Sequence, residues 1–160
     1  MKTEIYWIDL PGPGRLAIMP RPRGDDWLQG EIDSLKQMGV QSLVSMLTAE
    51  EESHYGLTRE GPTAQQKGLR FHSHPVPDHQ VPESPESAWT MARALAGEFR
   101  EGRAIAVHCF AGIGRSSLML ACILISLGLD AESAWAKLSE ARGFEVPDTR
   151  EQRDWVLRGP

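Results

Sequence analysis

Cys109 and Arg115 stand six positions apart in the stretch His108-Cys109-Phe110-Ala111-Gly112-Ile113-Gly114-Arg115-Ser116-Ser117. These residue types suit the capture of an oxyanion. Glycines at 112 and 114 let a loop fold back so that successive backbone N–H groups, those of residues 110 to 115, point at one spot. Arg115 closes the cradle, because a guanidinium offers a planar fork of donors that pairs bidentately with phosphate oxygens. Cys109 opens it, and a thiol facing such donors is expected to give up its proton readily. A thiolate beneath a bound phosphate is a nucleophile aimed at phosphorus. The bare spacing of Cys and Arg is a weak motif; the preceding His, the glycines and the flanking apolar runs give it weight.

Such a loop needs a rigid element on each side. Ala104 to Val107 is an apolar run short enough for a buried parallel strand, and Leu118 to Leu127 is long enough for a buried helix. The positive end of that helix would stand behind the loop. Cleaving a phosphate ester also requires a proton for the leaving oxygen. Pro75-Val76-Pro77-Asp78-His79-Gln80-Val81-Pro82 is a proline-stiffened loop carrying an acid, Asp78, with His79 and Glu83 as other donors nearby. An Asp beside Pro also starts turns without any chemistry.

The remaining elements follow in order. Residues 4–10 and 15–19 read as two short strands at the sheet edge, broken by Pro11-Gly12-Pro13-Gly14. Arg21-Pro22-Arg23 reads as a solvated loop. Asp26 with Gln29 gives a capping-box signal, and Leu28, Ile32, Leu35 and Met38 recur at helical spacing up to Gly39. Strands are expected at 40–47 and 69–74. The segment 48–68 is the least legible, and its run Glu50-Glu51-Glu52 reads as a solvated helix start with no chemistry. His72 and His74 share a strand face, but two imidazoles without a convergent carboxylate or thiolate are a weak metal set. Ser84-Pro85-Glu86 opens a helix ending near Gly102, Asp130 caps another with Trp135 and Leu138 inward, and 147–152 begins a closing helix that packs Trp155 and Val156. Thr149 and Gln152 satisfy a capping box, which explains them without a catalytic role.

The string His108-Cys109-x-x-Gly112-x-x-Arg115-Ser116 resembles the signature of the cysteine-dependent protein tyrosine phosphatases. Chain length and the Asp78 segment resemble the small dual-specificity branch, near the cyclin-dependent-kinase-associated phosphatases and their bacterial relatives. The resemblance runs from the first strand to Trp155. It implies a phosphomonoesterase working through a cysteinyl-phosphate with no metal or other cofactor. It also implies Cys109 as nucleophile, Arg115 as phosphate clamp, Ser116 as a hydroxyl steadying the thiolate when it leaves, and His108 as an orienting residue behind the site. Phe110, Ala111, Gly112, Ile113, Gly114 and Arg115 would form the phosphate-binding loop. In the family the general acid is an aspartate on a loop roughly thirty residues before the cysteine, and Asp78 lies 31 before it.

The expected substrate is a phosphorylated protein or peptide, phosphotyrosine first and phosphoserine or phosphothreonine second. The apolar loop positions Phe110, Ala111 and Ile113 lack the lysines of lipid-directed members, and Phe110 departs from the basic residue of close relatives. Two other classes share an anion cradle around a reactive Cys or its loop: a sulfur transferase or arsenate reductase, which would not need Asp78, and a non-catalytic phospho-binding module.

With 160 residues, 41% hydrophobic and 24% charged, the chain is expected to form one α/β domain over 1–160. Its sheet should be central and mostly parallel with helices on both faces, the site lying at the carboxyl end of the 104–107 strand. A net charge of -5 argues against a nucleic-acid partner. Two cysteines, with Cys122 inside an apolar helix as core packing, fit a reducing cytosol, and the segments contain neither a signal peptide nor a membrane span. A cytoplasmic monomer is the expectation.

Overall fold

Alternation along three strands builds the two cores between which the sheet lies. Leu16 and Ile18 pack to one side and Ala17 and Met19 to the other; Ile105 and Val107 oppose Ala106 in the same way. The computed structural model describes residues 3–160. Its strands are β1 (Tyr6–Trp7), β2 (Arg15–Met19), β3 (Ser42–Ser45), β4 (Arg70–Ser73) and β5 (Ala104–His108), in spatial order β1-β2-β5-β3-β4. Among the described residues the β1–β2 pair is antiparallel and the other pairs are parallel. The central strand is therefore β5, in register with Met19 and Ser45 at His108.

Its helices are α1 (Leu28–Gln37), α2 (Ala49–His54), α3 (Glu60–Gln66), α4 (Pro85–Arg100), α5 (Arg115–Ser126), α6 (Ala131–Arg142) and α7 (Arg150–Arg158). α1 and α3 cover one face through Ile32, Leu35 and Ala64. α4, α5, α6 and α7 cover the other, where every residue of α5 from Arg115 to Leu124 is buried. A helix apolar nearly all round belongs in the middle of its layer. Trp89 of α4 and Trp155 of α7 stack with centroids 6.3 Å apart and planes within 8°.

The expected α/β architecture is the one observed, with corrections at its edges. The first strand is two residues long rather than spanning 4–10: Ile5 packs against the core beside it, and the turn-rich stretch from Pro11 to Gly14 ends the pairing. Asp26 forms no capping box: a short 3-10 turn, Asp25–Trp27, precedes α1, and no side chain caps either start. Ser84, Asp130 and Thr149 do cap α4, α6 and α7 as expected. Arg21-Pro22-Arg23 is no solvated loop. Pro22 is buried, Arg21 lies over the rings of Tyr55 and Phe110, and Arg23 pairs with Glu31 at 2.9 Å. Among the described residues no helix is long and apolar enough to cross a membrane.

Candidate active site

β5 ends at His108 and α5 begins at Arg115, so residues 109–114 form a loop at the carboxyl end of the central strand. Four of its carbonyls are already engaged. Phe110 O accepts from Arg21 N–H at 3.0 Å, Gly112 O from Arg142 Nε–H at 2.9 Å, Ile113 O from the Ser117 hydroxyl, and Gly114 O from Leu118 N–H at 2.9 Å. In a trans peptide the next N–H points opposite to the carbonyl. The amides of Ala111, Ile113, Gly114 and Arg115 are thus turned to the other side of the loop, the arrangement an oxyanion needs. Both glycines sit in tight space, Gly112 against backbone and Gly114 against the ends of two side chains. A Cβ at Gly112, where φ is +71°, would meet the Met19 carbonyl carbon at 2.6 Å, and one at Gly114 would meet Asp148 Oδ2 at 2.5 Å.

Cys109 is buried, and its Sγ lies 3.2 Å from Ser116 Oγ. The Arg115 guanidinium is 1% exposed. Nη1 donates to Glu51 Oε1 at 2.6 Å and to the Val76 carbonyl at 2.7 Å, while Nη2 reaches Glu51 Oε2 at 3.0 Å and Asp78 Oδ1 at 3.2 Å. Its Nε is buried with no hydrogen-bond partner among the described residues. A buried N–H left unmade costs about 1–3 kcal/mol, so the guanidinium edge carrying Nε is poised for a ligand acceptor. Burial works against the charge of Arg115, yet the Glu51 carboxylate, the Cys109 sulfur and Asp78 together hold its proton more tightly than usual.

The acidic run 50–52 was expected to be solvated and idle, and Glu51 is neither. Thr48 and Glu51 form a reciprocal capping box at the start of α2, which fixes the carboxylate where Arg115 can grip it. Burial alone would push this carboxyl up, but the hydrogen bonds from Arg115 and Thr48 hold it below the usual range. The spacing Thr-x-x-Glu is a local capping signal that the sequence reading passed over, and the tertiary partner 64 positions away leaves no local signal.

Asp78 is half-exposed on the loop between β4 and α4. His79, at φ +63°, stands between Asp78 Oδ2 at 3.6 Å and Asp148 Oδ2 at 3.8 Å. Gln152 is fully buried in its capping box with Thr149, donates to the Gln80 carbonyl at 3.2 Å, and abuts Gly114. Asp148 and Gln152 therefore both border the loop, a closeness that no local spacing signals. Glu83 is exposed and is not among the Arg115 partners in the described residues. A carboxylate does converge on His72, contrary to expectation: Glu98 Oε2 lies 2.9 Å from its Nε2. His74 does not join them, and no group of three metal-ligating side chains occurs among the described residues. Cys122 is fully buried in α5, and burial pushes its thiol well above the ordinary 9.0.

The rim is aromatic. Tyr55 and Phe110 rings lie 5.1 Å apart, with Phe110 40% exposed, and a cavity of about 230 Å³ lined by Glu50, Glu51, His54 and Tyr55 opens beside them.

The family model described as cyclin-dependent kinase inhibitor 3 (CDKN3) matches residues 23–135, a span that contains Glu51, Asp78 and the whole 109–115 loop. Cyclin-dependent kinase inhibitor 3 of Rattus norvegicus is 30% identical over 131 residues, 81% of this chain, and that of Homo sapiens is 29% identical over the same length. The chain spans 61% of the length of these curated relatives. A crystal structure of kinase associated phosphatase (KAP), with its catalytic-site cysteine substituted by serine, superposes with a TM-score of 0.88 at 25% identity, covering 98% of this chain and 93% of that one. Tk-PTP in its active form gives a TM-score of 0.73 at 23% identity, covering 96% and 95%, a likeness of fold.

Proposed function

The chain belongs to the cyclin-dependent kinase inhibitor 3 family, and from that premise we propose that it is a cysteine-dependent phosphatase of phosphoproteins working through a cysteinyl-phosphate. The observation that carries this reading is the buried, unpartnered Nε–H of Arg115 beside a loop whose amides are turned away from its own engaged carbonyls. Donors held in place before the reaction cost no reorganisation when charge develops.

In the first step the Cys109 thiolate attacks phosphorus, an S–P bond forms and the ester P–O bond breaks. Asp78 gives its proton to the departing alcohol or phenol. Arg115 Nη2 lies 3.2 Å from Asp78 Oδ1 in the free site, which keeps this acid beside the guanidinium that would hold the phosphate. In the second step water attacks phosphorus, its proton passes to Asp78, the S–P bond breaks, and inorganic phosphate and thiolate result. The Ser116 hydroxyl, 3.2 Å from Sγ, is placed to donate to that thiolate.

The wall formed by Tyr55 and Phe110 supports phosphotyrosine as the better substrate, since an aryl ring gains from stacking where an alkyl chain does not. Phosphothreonine and phosphoserine remain accessible to a rim this open. The sheet and both cores draw on elements from Tyr6 to Val156, which supports reading 1–160 as one phosphatase unit, and we propose that it acts as a cytoplasmic monomer.

Hydrolysis of p-nitrophenyl phosphate in the presence of a chelator tests the mechanism. Turnover of p-nitrophenyl phosphate should persist with chelator and vanish in Cys109→Ser, and turnover of an alkyl phosphate, whose leaving group needs the proton, should fall by about 10²–10⁴ in Asp78→Ala. A rate unchanged in Cys109→Ser overturns the mechanism. An Asp78→Ala variant that keeps full turnover would point to sulfur transfer or arsenate reduction, and binding of phosphopeptide without any turnover to a binding module.

A further inference from the structure

Behind the loop lies a second buried pair that the mechanism above does not use. His108 and Glu60 are 0% and 1% exposed at the side chain, and Nε2 of one lies 2.6 Å from Oε2 of the other. The imidazole has acceptors on both sides, because its Nδ1 lies 3.1 Å from the carbonyl oxygen of Cys109. A carbonyl can only accept, so Nδ1 carries a proton. Glu60 supplies the Nε2 edge with a carboxylate whose other oxygen, Oε1, is buried with no partner among the described residues. An anion so placed is costly unless a cation faces it.

We propose that Glu60 is a positioning residue for the nucleophile: its buried carboxylate keeps both ring nitrogens of His108 protonated, fixing an imidazolium against the carbonyl of Cys109. The pair is neutral in sum but oriented, with its positive end toward Cys109 and its negative end away in α3. Such a dipole favours the thiolate without adding net charge to the core. Among the described residues, Glu52 of α2 is the further titratable side chain that acts on the pair. Burial and the charge of Glu60 push its carboxyl up, while His108 pulls it down. Burial opposes the charge on His108 as well, but Glu60, the Cys109 carbonyl and Glu52 together carry its proton above the ordinary histidine range.

The inference rests on Cys109 as nucleophile, but its test does not require phosphatase turnover. Glu60→Gln is the discriminating variant, because an amide can donate to Nε2 while Nδ1–H still donates to the Cys109 carbonyl; shape and hydrogen bonds survive, and the imidazolium does not. Nitrogen NMR of the ring should show both His108 nitrogens protonated at pH 7 in the native chain and one in Glu60→Gln. The pH midpoint for alkylation of Cys109 by iodoacetamide, located by mass mapping, should rise by about 0.5–1 unit in Glu60→Gln and return most of the way in Glu60→Asp. A singly protonated His108 in the native chain overturns the proposal even if the variant does not fold. So does an unmoved midpoint in a folded Glu60→Gln. Loss of p-nitrophenyl phosphate turnover with these signatures intact would strike the phosphatase reading and leave this one standing.

Discussion

Glu51 grips the guanidinium of Arg115 with both oxygens, and Asp78 touches the same group more loosely at 3.2 Å. Removing the stronger partner leaves a buried cation with a half-exposed carboxylate for company. Breaking a fully buried pair costs about 3–5 kcal/mol; the partial exposure of Glu51 and the presence of Asp78 reduce this to about 1–3 kcal/mol for Glu51→Gln. The same substitution frees Arg115 to leave its phosphate-binding pose, so kcat/KM on an aryl phosphate should fall about tenfold or more. The pH dependence has a definite sign. The Glu51 carboxyl sits below its ordinary 4.5 when folded, so its contribution is present above that pH and is lost as the pH falls through the folded value. Urea midpoints should therefore differ between native and Glu51→Gln at pH 7 and converge in acid. A gap that persists unchanged at pH 3 would remove the ion pair as its source.

At the scale of elements, legibility followed the range of the interaction. The β5–loop–α5 unit was readable because strand, glycines and apolar helix are contiguous, and Ser84, Asp130 and Thr149 were readable because a cap acts within three residues. Asp26 misled, since a cap signal says nothing of whether a 3-10 turn will claim the start of the helix. Glu51, Glu60 and Asp148 were out of reach because they meet Arg115, His108 and Gly114 across long stretches of chain, through the register of β5 against its neighbours and the seating of helices on that sheet. Two element-level substitutions measure what the loop requires. Gly112→Ala places a methyl against the Met19 carbonyl at a left-handed backbone angle; with strain of about 1–3 kcal/mol, a fall in Tm of about 2–10 °C is expected, together with loss of phosphate binding by calorimetry. Thr149→Ala removes only the cap of α7 and should cost about 1 kcal/mol. Because that helix carries Gln152 against Gly114, the same variant should lower kcat, whereas an equally destabilising change at Ser84, which caps α4, should not.

Taken as a whole, the molecule places its two cysteines in opposite circumstances on one continuous stretch of chain. Cys109 faces a hydroxyl and lies within the field of a guanidinium; Cys122 sits two turns into α5 among Leu, Ile and Ala side chains, where its thiol is pushed well above 9.0. That difference is a property of the folded layer, since an unfolded chain would treat the two alike. It couples stability to alkaline pH. Above 9.0 the unfolded chain releases the Cys122 proton and the folded one does not, so the native state binds more protons and loses stability as the pH rises. Cys122→Ala lacks this linkage, while every other titrating group is common to both chains. At pH 7 the variant should be less stable by about 1 kcal/mol, the cost of a small buried void. Above pH 9 the gap should close at about 1.4 kcal/mol per pH unit and reverse near pH 10. Urea unfolding of the two chains at pH 7, 9 and 10 checks this, and parallel curves across that range would mean that Cys122 ionises as easily inside the helix as outside it.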